Sequence, residues 1–551
     1  MPNVKRPNLS SGTAPKPMKG TWEKIDVPPL ARSSHSINVV NGSAYVFGGE
    51  INPREPVDNN VHVIRLPYNS AGADYYKIKS APTKQYTPPA DTEPIEKKTT
   101  EGVHEKVEVL SIEEKAAQKE QLLDEVSLAS PAAVEEEEVP LQAGEQSTTT
   151  GAAPADKGKG IAVLDNSALG DVPGPRVGHA TAVIGSRIFL FGGRGGPDMT
   201  PLEEGGRVWV FDTRTNTWAY LDPVPPAPGV TILPMPSPRS YHSSAATDRP
   251  RDFAPKHVRR NQGWKAWAQG DSAEVGIPQA PIVGHLAANA TDEEDDGYGT
   301  FFVHAGCLAS GERTNDLWAF DVRTRVWSQL PSAPGPARGG AAITISKSRL
   351  FRFGGYDGKG EIGGQLDFLH LEMDTFDDGA TKGEIAVHGR GGWQSIVQGA
   401  NSGEQEIHLI PGQAWPGSRS VAGLETVTSG AGREYLLLIM GERDPSSDGH
   451  SGAGAMWDDV WAFQVPPLGM TAASVRDAMM QAIGRPTGEG KWTRLTTEPY
   501  DDDNDDGEPA PRGWFATSPM GDVEEGGVVV WGGLSNENKR LADGWILRLP
   551  E

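Results

Sequence analysis

The sequence predicts an all-β fold, a six-bladed β-propeller closed by its N-terminal strand and carrying long disordered insertions. Three observations predict it: a turn-dense composition, one pattern repeated six times, and an orphan strand segment near the N-terminus. The 551 residues include 67 Gly and 45 Pro, about a fifth of the chain against roughly 12% in average usage. Such a chain is no helical bundle. Self-similarity at a fixed period is the mark of stacked supersecondary units, none of which can bury its apolar faces alone.

Each unit opens with an arginine, continues into a β-branched and aromatic run, and ends that run in Gly-Gly or a degenerate form. A short strand and then a large aromatic follow. Unit 1 has Arg32, Gly48-Gly49 and Tyr75. Unit 2 has Arg176, Gly192-Gly193, a strand at 208–212 and Trp218. Unit 3 has Arg239, Ala305-Gly306, a strand at 316–321 and Trp327. Unit 4 has Arg338, Gly354-Gly355 and Trp393. Unit 5 has Arg419, Met440-Gly441, a strand at 459–464 and Trp492. Unit 6 has Arg512, Gly532-Gly533 and a strand at 543–549, with no aromatic strand after it. This is a four-stranded antiparallel meander in which glycines permit close backbone approach and one aromatic per sheet fills the gap to its neighbour. The orphan Thr21-Trp22-Glu23-Lys24-Ile25 supplies the missing strand. Closing the ring this way removes open edges.

Charge marks the insertions. Residues 91–145 hold 16 acids against 5 lysines, and two further acid runs lie at 292–296 and 501–508. Together they account for nearly all of the net charge of −23. The expected organisation is a disordered tail at 1–20 and a propeller over 21–551, interrupted by an acidic disordered insertion at 79–172 and a charged loop at 249–298. The basic half of that loop, with Arg259, Arg260 and Lys265 around Trp264, reads as pairing with its own acidic half. Residues 112–126 carry apolar side chains at helical spacing, either a partner-docking helix or a transient one. Residues 471–484 read as a helix against a blade edge.

The acidic balance argues against nucleic-acid binding, which relies on Lys and Arg neutralising phosphates. Apolar runs of about six residues fall far short of the roughly 20 needed for a membrane helix. One cysteine, Cys307, permits no intrachain disulfide, and no apolar leader opens the chain, so a reducing cytoplasmic or nuclear setting is expected. The expected state is a monomer. No phosphate-cradling loop, nucleophile elbow or Cys-x-x-Cys is present.

The Arg, Gly-Gly and aromatic pattern resembles kelch repeats, and more closely the plant specifier proteins that form nitriles, epithionitriles and thiocyanates from glucosinolates. The carrying segments are Gly48-Gly49-Glu50 through Asp58, Pro175-Arg176-Val177-Gly178, Arg239-Ser240-Tyr241-His242-Ser243, residues 315–321, and Ala337-Arg338-Gly339-Gly340. The most specific is Gly441-Glu442-Arg443-Asp444-Pro445-Ser446-Ser447-Asp448-Gly449-His450 and its continuation to Gly454. The large acidic insertions depart from that family's pattern.

The resemblance implies a ferrous-iron-dependent lyase or rearrangement factor acting on a small anionic, sulfur-containing molecule. It implies Fe(II) held by a Glu, Asp and His at four-residue intervals, and here Glu442 and His450 keep the outer spacing while Ser446 stands in the middle. Asp448, with Asp444 as substitute, then completes the set, since carboxylate oxygens plus one imidazole suit Fe(II). The other reading of that loop is an Asx-type turn with His450 in solvent.

Arg32, Arg176, Arg239, Arg338, Arg419 and Arg512 are expected to ring one mouth of the channel, where guanidinium groups would bind sulfate or carboxylate. The resemblance assigns the sulfated substrate to Arg176 and Arg239. The structural alternative pairs the arginines with nearby acids. His35, His179 and His242, three residues after their arginines, read as blade packing. Glu361, Asp367 and His370 fit no metal spacing. The second functional reading is a non-enzymatic scaffold that binds protein partners through its loops and acidic insertion.

Overall fold

The computed structural model describes residues 18–68, 71–83, 169–225, 233–247, 299–375, 385–398, 407–410, 414–429, 432–449, 452–466, 489–500, 507–521 and 527–549. The chain divides into one unit formed by Met1–Thr83 with Ile161–Glu551 and another formed by Lys84–Gly160, and every described residue belongs to the first. The expected helices at 112–126 and 471–484 and the whole loop at 249–298 lie outside the described residues.

Among the described residues six blade sheets, each built on an antiparallel meander, follow one another with three two-stranded ribbons beside them, and no helix occurs. Blade 1 runs Ser36–Val40, Ser43–Phe47, Val61–Arg65 and Asp74–Ile78. Blade 2 runs Ala180–Ile184, Arg187–Phe191, Val208–Asp212 and Thr217–Leu221. Blade 3 has Ser243–Thr247, Thr300–Leu308, Arg313–Asp321 and Val326–Leu330. Blade 4 is built on Ala342–Ser346, Arg349–Phe353, Gln365–Thr375 and Gln394–Gln398. Blade 5 has Gly423–Thr428, Glu434–Ile439, Val460–Gln464 and Trp492–Arg494. Blade 6 has Ala516–Pro519, Gly527–Trp531 and Gly544–Arg548, and its fourth strand is Lys19–Ile25 from the N-terminus.

Second strands such as Arg187–Phe191 and Gly527–Trp531 are apolar on both faces because they lie mid-sheet between two neighbouring blades. Six apolar clusters fill the six blade interfaces. Each cluster takes the fourth-strand aromatic of one blade onto the blade before it. Trp218, Trp327, Trp492 and Trp22 do this fully buried, while Tyr75 and Trp393 are partly buried. Blade 4 departs from the four-stranded plan. Its third strand runs on to Thr375 and pairs there with Ile385–Gly389, and Ile407–Ile410 adds parallel to Gln394–Gln398. Trp393 therefore falls just before its strand.

Two circular sets of backbone hydrogen bonds close around the axis. In the first, the second glycine of each pair donates to the carbonyl of the next blade's opening arginine, from Gly49 to Arg176 through to Gly533 to Arg32, at 2.9–3.0 Å. In the second, the residues two after each arginine bond head to tail through Ser34, Gly178, Tyr241, Gly340, Val421 and Trp514 at 2.7–3.2 Å. All six adopt positive φ.

These rings explain which glycines are strict. The second glycines lie at φ +90 to +108°, a region closed to other residues. The first position lies at φ +44 to +70° and accepts Ala305 and Met440. Where the first residue is Gly48, Gly192 or Gly532, a Cβ would strike the ring of His179, His242 or His35 on the next blade at 2.6–3.1 Å. After Ala305 the matching position is Ala341, and after Met440 it is Phe515. The histidines are thus blade packing: all three are buried, and burial holds each imidazole far below its ordinary range. At Gly441 a Cβ would meet Ala422 Cβ at 2.6 Å and the Ser420 carbonyl at 2.8 Å. Gly441→Ala is expected to cost about 2–5 kcal/mol through backbone strain plus overpacking, against less than about 1 kcal/mol for Ala305→Gly. Denaturant midpoints for the two variants check this, and equal losses would refute it.

Candidate functional site

The six opening arginines do not face a common ligand space, and none lines the axial pocket described below. All are buried, at 0–3% exposure. Each donates Nη1 to the carbonyl of the first residue of its own glycine pair, at 2.8–3.1 Å. Four of them also clamp an acid in or shortly before the third strand with both terminal nitrogens: Arg176 to Glu204, Arg239 to Asp316, Arg419 to Asp459 and Arg512 to Asp543.

A tryptophan two residues after three of those acids donates its indole N–H to the same carboxylate, as Trp318, Trp461 and Trp545 do. Asp-x-Trp is therefore the sequence signal for the acid partner, and it identifies Asp316, Asp459 and Asp543. Blade 2 supplies Glu204 without that motif, and blades 1 and 4 have neither the motif nor an acid clamped by the opening arginine. There Asn60 and His62, or Gln365 and Asp367, occupy the two positions; Arg32 meets His62 Nε2 at 3.1 Å, and Asp367 pairs with Arg352 instead. Burial without a clamped carboxylate lowers Arg32 and Arg338 to about 10.

The functional candidates lie one residue further along. The residue directly after each glycine pair, Glu50, Arg194, Cys307, Tyr356, Glu442 or Leu534, points into an axial cavity of about 260 Å³. Ser34, Tyr241, Gly340, Val421 and Trp514 from the inner hydrogen-bonded ring also line it, with Arg313 and Arg540 from neighbouring loops. The scaffold places these positions but does not dictate their chemistry, so they differ from blade to blade.

Three guanidinium groups gather here. Arg194 donates Nε to Ser240 Oγ at 3.0 Å and lies 5.1 Å over the Tyr241 ring. Arg313 lies 4.9 Å over Tyr356. Among the described residues neither has an ion pair with a carboxylate. Arg540 is paired with Glu50 at 3.0 Å, and Glu50 also accepts the Arg54 backbone N–H. Burial pushes Glu442 up to about 7, although the Gly454 N–H and Trp514 hold its charged form. Burial pushes nearby Glu361 up to about 8, with Glu442, Asp444 and Asp357 adding to it. Burial also raises Tyr241 to about 12 against the pull of Arg194.

Of the residues expected to hold iron, Glu442 lines this pocket, whereas Asp444 and Asp448 are exposed and Asp444 is tied to the Arg443 side chain at 2.8 Å. His450 lies outside the described residues. Among the described residues no three His, Cys, Asp or Glu side chains come together as a metal set. Glu442, Asp444 and Asp448 by themselves do not fit Fe(II), which needs converging donors.

The family model for the Kelch motif matches residues 175–225, the whole of blade 2 with its opening arginine and closing tryptophan. The chain is a six-bladed β-propeller that carries a Kelch motif in blade 2. The chain is similar to the N-(sulfonatooxy)prop-2-enimidothioate sulfolyase of Thlaspi arvense, with 22% identity over 385 residues, 67% of this chain and 92% of the relative. It is also similar to the flagellar outer-arm dynein alpha chain of Chlamydomonas reinhardtii, 25% identical over 288 residues, which is 51% of this chain and 4% of the dynein. Among solved structures, that of YjhT aligns over 94% of this chain and 95% of its own at 11% identity, with a TM-score of 0.40.

Proposed function

We propose that this protein is a specifier-like kelch protein whose axial pocket takes a small sulfated or otherwise anionic, sulfur-containing molecule and promotes its breakdown or rearrangement. The observation that carries the reading is the pair Arg194 and Arg313, two cations without a carboxylate ion pair among the described residues, in a cavity of about 260 Å³. Similarity to a sulfolyase along 92% of that relative supports it. Guanidinium groups hold sulfate-like oxygens in a fork, and they stabilise the charge that grows on a departing sulfate. Trp514, Val421 and Leu534 offer the apolar wall against which the rest of a small ligand packs.

Calorimetric titration with methyl sulfate tests the reading. Arg194→Met and Arg313→Met are each expected to weaken binding about 10- to 100-fold, the worth of one charge-assisted hydrogen bond of roughly 1.5–3 kcal/mol. Arg176→Met should leave the intrinsic affinity of folded protein unchanged. No binding to the wild-type protein would overturn the proposal and favour the scaffold reading. An anaerobic Fe(II) titration of wild type beside His450→Ala decides the metal: one site lost in the variant would restore iron to the proposal through Glu442 and His450.

A further inference from the structure

The chain's one cysteine stands in this pocket. Cys307 follows Gly306 in blade 3, so the same frame that directs Glu50 and Glu442 inward directs its thiol. Opposite it, a Cβ at Gly339 would lie 2.8 Å from Sγ, so the missing side chain there is what gives the sulfur its space. The thiol is half-buried, pairs across the strand with Arg313, and feels the charges of both Arg313 and Arg194.

Independent signs of a ligand surround it. The buried Nε of Arg313 has no hydrogen-bond partner among the described residues. Arg540, lining the same pocket with its side chain 6% exposed, likewise has an unpartnered Nε. Buried donors without acceptors are costly, and a molecule bearing negative charge would satisfy them beside the sulfur. Electropositive, partly open surroundings are also where cysteines react.

We propose that Cys307 is a charge-selective modification site, whose thiol exchanges with small sulfur electrophiles carrying a sulfonate, sulfate or carboxylate group held by Arg194 and Arg313. The inference rests on the reading of the pocket as an anion site. With a thiosulfonate the step balances simply. The Cys307 proton passes to solvent, Sγ attacks the sulfenyl sulfur, a new S–S bond forms, and the old bond to the sulfonyl sulfur breaks. Sulfinate leaves with the electron pair, so the cysteine sulfur is oxidised and the sulfonyl sulfur reduced. Burial raises the thiol's pKa while Arg313 and Arg194 pull it down, and since the thiolate is the nucleophile the rate rises with pH. The adduct occupies the anion site, so modification switches the pocket off.

The test treats the full chain with the sulfonatoethyl and trimethylammonioethyl methanethiosulfonates and follows intact mass, each rate normalised to that of a free small thiol. The anionic reagent is expected to win by about tenfold or more, and the preference to shrink at high salt. Arg194→Met and Arg313→Met should bring the ratio towards one, Arg313→Lys should retain most of it, and Cys307→Ser should take no label. Equal normalised rates, or labelling only after unfolding, would overturn the inference. If methyl sulfate still binds in that case, Cys307 alone has failed; if it does not, the anion reading has failed with it.

Discussion

Arg176→Met is expected to lower folding stability by about 3–5 kcal/mol, the usual result of removing one partner of a buried ion pair. The methionine keeps the volume but strands three acceptors. Glu204, now held by both guanidinium nitrogens at 2.8 and 2.9 Å, keeps only the Trp209 indole at 2.9 Å. The Gly192 and Gly174 carbonyls lose donors at 3.0 and 3.1 Å. Adding Glu204→Gln removes the bare charge, so the double variant should recover a sizeable part of the loss, and a double-mutant cycle on denaturant midpoints measures the coupling. Arg338→Met supplies the internal contrast. Its blade has Gln365 where the acid would be, one of its terminal nitrogens has no partner, and burial has already lowered it to about 10. A loss of about 1–3 kcal/mol is expected there, from stranded carbonyls alone. A loss below about 1 kcal/mol for Arg176→Met would contradict the structural role of these arginines.

That contrast also marks what the sequence made legible. Arginine, glycine pair and aromatic gave the number of blades, their order and the closing strand, because each is fixed by backbone geometry that repeats. The direction of the arginines was not legible from their own recurrence, since six repeated cations look alike whether they meet a ligand or a carboxylate. Asp316-Leu317-Trp318, Asp459-Val460-Trp461 and Asp543-Gly544-Trp545 hold the deciding information in the same repeat, one strand later. The pocket escaped for the opposite reason. Glu50, Arg194, Cys307, Tyr356, Glu442 and Leu534 share a frame position but no chemistry, so a search for repetition passes over them. In a repeat fold the scaffold repeats and the site does not. Blade 4 keeps Trp393 as its aromatic against blade 3, but its third strand continues to Thr375 and recruits a partner strand of its own, an addition that the repeat does not announce.

A chain beginning at Asp26 is expected not to fold into a stable monomer. Lys19–Ile25 pairs antiparallel with Gly544–Arg548 along Thr21 to Ile25 and parallel with Thr496–Pro499 on its other side. Its loss opens an edge in blade 6, and an unpaired edge is a template for aggregation. The strand also serves both interfaces of that blade: Trp22, 2% exposed, belongs to the cluster shared with blade 5, and Ile25, 4% exposed, to the cluster shared with blade 1. Truncating a buried Trp costs about 3–5 kcal/mol and burying an isoleucine is worth about 1.5–3 kcal/mol. With the strand's backbone pairs and the Glu23–Arg548 ion pair at 2.7 Å gone as well, the loss approaches the whole stability of an ordinary domain, about 5–15 kcal/mol. The truncated chain should appear as aggregate in size-exclusion chromatography, and a peptide spanning residues 18–26 added during refolding should restore monomer. Trp22→Ala, which keeps the backbone pairing, should fold with a loss of about 3–5 kcal/mol. A truncated chain that elutes as monomer with an unchanged melting temperature would show that the ring holds without its closing strand.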